Sequence, residues 1–211
     1  MRSTKIAASV AAAAISAALI AGCSDDSSST SMEGHSMGSS SAPATESTTA
    51  ESESSAQFND ADVMFAQMMY PHHAQAVEMA DLVQGRTSNP DVIALAGAIA
   101  AAQQPEMDQL SAWLSEWGQP APSTDMGSMD HFGDGSMDGM MTPQDMAALE
   151  AASGADFDRQ WLTMMTEHHT GAVDMAETEI ADGSNPDAIA MARDIVEAQQ
   201  VEISQMQQLL G

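Results

Sequence analysis

Residues 60–114 recur without a gap as residues 156–210, with 24 of 55 positions identical. Such a duplication constrains the fold, because a short unit with one apolar face has its own copy as the nearest surface to bury it against. The shared text centres on histidine. Met68-Met69-Tyr70-Pro71-His72-His73, with Ala76-Val77 and Met79-Ala80 after it, returns as Met164-Met165-Thr166-Glu167-His168-His169, Ala172-Val173 and Met175-Ala176. Ser88-Asn89-Pro90-Asp91 returns as Ser184-Asn185-Pro186-Asp187, and Gln103-Gln104 with Glu106 as Gln199-Gln200 with Glu202.

Each copy reads as a helical hairpin. Over residues 59–83, Phe65, Met69, His72, Ala76, Met79 and Val83 return at helical spacing, and Asp62, His73 and Ala80 fall in the same stripe. The second helix opens at Ser88 or Asn89 as N-cap, with Pro90 in its first turn and Asp91 near its positive end. Its inner line is Ile93, Ala96, Ala100, Gln103, Met107, Leu110 and Leu114, with Glu106 on the edge, and it stops near Gly118. Pro105 lacks an N–H and predicts a local kink. The second copy predicts helices over 157–180 and 187–210, preceded by a short extra helix over 142–151. No strand pattern competes, so the expectation is an all-α four-helix bundle made of two duplicated hairpins. Few aromatics and many alanines imply close helix approach, with methionine filling the gaps.

The ends of the chain are of another kind. A basic start, an Ala-rich apolar stretch and small residues before the single cysteine read as a secretory signal over residues 1–22, with Cys23 as the acylated residue of a bacterial lipobox. Residues 23–57 are Ser/Thr/Glu-rich, too polar to offset the entropy of ordering, and are expected to form a disordered tether. The bundle domain is assigned to residues 58–211, with repeat one over 58–119, a Met/His-rich linker over 120–142 and repeat two over 143–211. Loss of Arg2 and Lys5 with the signal leaves three Arg against 31 acidic residues, a net charge of −28. Such a surface disfavours nucleic acid and anionic lipid and attracts cations. The expected location is the extracytoplasmic face of the cell membrane, held there by the lipid anchor alone.

Imidazole and thioether on one helical face suit a soft metal ion, above all Cu(I), with Ag(I) tolerated in its place. The candidate bundle ligands are Met69, His72, His73, Met79, Met165, His168, His169 and Met175. Four inward imidazoles related by a duplication meet across the bundle axis or form two equivalent sites. Gln103, Glu106, Gln199 and Glu202 are placed to hydrogen-bond the rings and fix their tautomers. Two further islands, Met32, His35 and Met37 in the tether and Met126, Met129, His131, Met137, Met140 and Met141 in the linker, put methionine among Gly, Ser and Asp, where there is no core to fill. They are candidate auxiliary metal sites.

With Phe157-Asp158, Met165, His168-His169, Ala172-Val173, Met175-Ala176, Ala198-Gln199-Gln200, Glu202-Ile203 and Met206 in view, the chain resembles the bacterial domain-of-unknown-function family 305. The resemblance covers residues 59–211, and the first copy departs from the pattern at Pro105, Met107 and Leu110. It implies a ferritin-like helical fold and an exported protein of copper binding or copper resistance. The resulting expectation is a copper protein that sequesters or transfers Cu(I), without catalytic activity and with no protein partner identifiable. Two alternatives remain open: a ferritin-like di-metal (Fe/Mn) oxidoreductase, against which the missing Glu-x-x-His motif counts, and a metal-free interaction scaffold.

Overall fold

The structure, a computed structural model, describes residues 57–124 and 138–211. Cys23, Met32, His35, Met37, Met126, Met129, His131 and Met137 lie outside the described residues, as do the signal and nearly all of the tether. Five helices follow in chain order: α1 (Asp60–Asp81), α2 (Pro90–Glu116), α3 (Pro143–Ala151), α4 (Gly154–Asp182) and α5 (Pro186–Leu210). Among the described residues there is no strand, and no helix is long and apolar enough to cross a membrane.

Local chemistry fixes the helix starts. Asn59 accepts from the N–H groups of Ala61 and Asp62 while the Asp62 carboxylate takes the Asn59 N–H at 2.6 Å, a reciprocal cap. Asn89 and Asn185, each followed by proline, cap α2 and α5. Thr142 and Asp145 cap α3 in the same reciprocal way. Helix α4 begins at Gly154, three residues before the expected 157, without a side-chain cap. The Gly154 N–H donates instead to the Arg86 carbonyl in the α1–α2 loop at 2.7 Å, so a tertiary bond satisfies the helix end. Pro71 and Pro105 both lie inside helices of the first hairpin, where each leaves the carbonyl four residues earlier without its ladder partner. Helix α2 nevertheless runs through Pro105 as one element.

Helices α1 and α4 pack against each other in opposite directions: His72 meets His168, and the buried Trp161 donates its indole N–H to the Met79 carbonyl at 2.9 Å. Helix α2 lines α1, and α5 lines α4. Two apolar clusters result, each drawn from both repeats. One joins Phe65, Ala66, Met69, Leu110 and Leu114 to Ala172, Ala176, Ala188 and Ile195. The other joins Met79, Val83, Val92 and Ile99 to Phe157, Trp161, Met165 and Met206, with Leu149 of α3 over its end. Neither hairpin has a core of its own.

The stripe expected for α1 is buried along its whole length. In α2 the line starts one residue earlier than expected. Val92 is fully buried while Ile93 is 47% exposed, because the spacing that carries Ala96, Gln103, Met107, Leu110 and Leu114 inward leads back to position 92. Met141 also departs from its reading as part of a solvated island: it is 6% exposed and packs in the second cluster with Met146.

Candidate metal centre

On α1, Met69 belongs to one apolar cluster and Met79 to the other, with His72 and His73 between them. On α4 the order is reversed, with Met165 in the second cluster and His168 and His169 between it and Ala172. The four imidazoles therefore form a polar layer at the middle of an otherwise apolar core. All four are at most 1% exposed.

The layer divides into two kinds of ring. His73 Nε2 lies 2.7 Å from Glu106 Oε2, and His169 Nε2 lies 2.8 Å from Glu202 Oε2. A carboxylate acceptor holds the proton on Nε2 and leaves a lone pair on Nδ1, which in both residues is buried and has no partner. Glu106 and Glu202 reach in from half-buried positions, so each His–Glu pair belongs to a single hairpin. His72 and His168 instead face each other across the repeat axis, with ring centroids 3.7 Å apart and planes inclined by 39°. All four of their ring nitrogens are buried without a hydrogen-bond partner. Burial pushes the His72 pKa down to about 3, helped by the neighbouring His73 and His169. His168 is held well below its ordinary value by burial and then by His72, His169 and His73. Both rings are neutral at pH 7, the form that binds a metal.

Among the described residues, no three His, Cys, Asp or Glu side chains form a ready-made cage. The open donors at the axis are a pair of imidazoles. Met69 and Met175 lie in or against one cluster and Met79 and Met165 in the other, so sulfur flanks the layer on both sides with one residue from each repeat. Gln103 and Gln199 are buried on α2 and α5 but make no hydrogen bond to the rings, and both amide atoms of Gln103 are unpartnered. Met140 is half-buried. Unpaired neutral nitrogens buried in a layer between two methionine-containing apolar clusters fit a soft ion better than a hard one, which would call for carboxylate oxygen.

The family model for a domain of unknown function, DUF305, matches residues 62–210. The chain belongs to the DUF305 family. Its fold is similar to that of a DUF305 protein from Streptomyces coelicolor (37% identity, TM-score 0.65, covering 71% of this chain and 91% of that one). A DUF305 fragment from Deinococcus radiodurans matches at 33% identity and TM-score 0.64, over 72% and 97% of the two chains. CopM in its Cu(II)-bound form matches at 32% identity and TM-score 0.60, over 71% and 95%. CopM is also solved with Cu(I) and with Ag. No curated protein matches the chain.

A second buried polar group in this DUF305 chain escaped the sequence reading. Asp62 accepts the N–H groups of Ser184 and Asn185 in the α4–α5 loop as well as that of Asn59. Burial alone would raise its pKa, but these donors and Glu179 hold it below the usual carboxylate value. Glu179, 1% exposed, is pushed up to about 8 by burial and by Asp62. The copy of Glu179 in repeat one is Val83, so no repeated motif marked it.

Proposed function

We propose that this protein is an exported, lipid-anchored copper-binding protein that sequesters or hands on Cu(I), with His72 and His168 as its central pair of ligands. The observation that carries the reading is that pair: two neutral imidazoles in van der Waals contact, buried, with no hydrogen bond to any of four nitrogens. Native interiors pair their buried polar groups, and four nitrogens left open together call for a further partner such as a bound ion. Met69, Met79, Met165 and Met175 would supply sulfur, and His73 and His169, oriented by Glu106 and Glu202, would supply further nitrogens. The copper- and silver-bound forms of the similar protein CopM support the choice of metal.

Acylated Cys23 would hold the protein on the extracytoplasmic face. An extracytoplasmic setting is supported by the secreted designation of the Streptomyces coelicolor relative. The islands at Met32, His35 and Met37 and at Met126, Met129, His131, Met137 and Met140 would gather ions near the ordered site by raising their local concentration. We propose no catalytic activity, since Glu106 and Glu202 are committed to histidine rather than free to bridge a metal pair. Titration with Cu(I) under reducing conditions tests the reading. Wild type should bind at least 100-fold more tightly than the His72→Ala, His168→Ala double variant, and equal affinities would overturn it.

A further inference from the structure

Where the inter-repeat linker returns to the bundle, its last residues lie across the junction of α1 and α4. Gln75 of α1 grips Met141 by its main chain from both sides: its Oε1 accepts the Met141 N–H at 2.6 Å and its Nε2 donates to the Met141 carbonyl at 2.8 Å. On the opposite edge, Gly171 of α4 lies directly under the Asp138 peptide. A Cβ at Gly171 would strike the Asp138 carbonyl oxygen and come within 2.7 Å of its carbon, and a Cβ at Gly139 (φ +83) would come within 2.8 Å of the Glu167 carbonyl, beside that of His168. Real side chains essentially never approach backbone that closely, so the segment requires glycine at both places.

Gln75 and Gly171 occupy the same position in the two repeats, three residues after His72 and His168. An amide long enough to reach over stands on one side, and no side chain at all stands on the other. The repeats thus differ where a single strap crosses their axis, and the strap crosses beside the paired rings.

We infer that Asp138–Met141 is a latched cover over the His72–His168 pair, released at Gln75, so that a metal ion enters and leaves when this segment lifts. The inference rests on the proposed copper reading for its biological sense, but its geometry can be tested without metal. Two variants loosen the strap from opposite edges: Gln75→Ala removes the latch, and Gly171→Ala pushes the segment off α4 while favouring that helix intrinsically. In the metal-free protein, acylation of the histidines by diethyl pyrocarbonate, mapped by mass spectrometry, should speed up at least fivefold at His72 and His168 in both variants, with unchanged helical circular dichroism. In stopped-flow mixing with Ag(I), uptake and release should both accelerate tenfold or more while the dissociation constant moves less than threefold. Acylation rates within twofold of wild type in both variants would overturn the cover. Faster acylation together with no His-dependent Ag(I) binding by wild type would leave the cover standing and remove the copper reading instead.

Discussion

Replacing His72 and His168 together by leucine should make the metal-free protein more stable, although it destroys the most conspicuous feature of the core. Each neutral ring carries one donor and one acceptor, and none of the four groups finds a partner. A buried polar group left unpaired costs about 1–3 kcal/mol. Even if small relaxations recover half of the lower bound, the two rings together cost about 2 kcal/mol, and leucine of similar volume adds apolar burial. The expected gain is therefore about 2–4 kcal/mol, or roughly 4–16 °C in Tm for a domain of this size. The assay is urea unfolding of wild type and variant, with and without Ag(I). Saturating the wild type at 100 times its Kd returns about 2.7 kcal/mol, whereas the variant gains nothing, so adding metal should narrow or invert the order of stabilities. A metal-free variant less stable than wild type would show that the rings are satisfied in solution, and the case for an open ligand pair would fail with it.

Other expectations follow from the same geometry. Glu106→Gln with Glu202→Gln releases the tautomer of His73 and His169 and should weaken Cu(I) binding about 10–100-fold, measured by chelator competition, with little change in fold. Glu179 has a folded pKa raised to about 8 from an ordinary 4.5, so the folded state holds the proton more tightly and stability is full below about pH 4.5 and lost as pH rises to 8. The slope should be on the order of 1 kcal/mol per pH unit in that window, and Glu179→Gln should flatten it in unfolding experiments run from pH 5 to 9. Trp161→Phe removes the donor to the Met79 carbonyl from a fully buried site and should cost about 2–4 kcal/mol in urea unfolding.

The fold was legible because its signals are local and repeated. Asn-Pro-Asp at positions 89–91 and 185–187 marks two helix starts by capping chemistry, and the spacing from Phe65 to Val83 marks a buried face that holds throughout. The inward histidines and their Glu106 and Glu202 partners were legible for the same reason. What stayed hidden depends on contacts between distant segments. The early start of α4 rests on a bond to Arg86, and the second role of Asp62 rests on amides more than 120 residues away. The division of labour within each His-His pair is likewise invisible in a motif that writes both residues alike. Methionine misled in one place, since Met141 reads as solvated by its Gly and Asp neighbours yet packs in the core.

Because both apolar clusters draw on both copies, a lone hairpin of this sequence would be folded only as a dimer. Its single equivalent of His72 would stand on the dyad and face itself, so the ring pair would form only between two identical subunits and be lost on dilution. Fusing the two subunits into one polypeptide makes that meeting independent of concentration. It also frees the halves to diverge, which a homodimer cannot do, and a centre once symmetric by necessity has room for a front and a back.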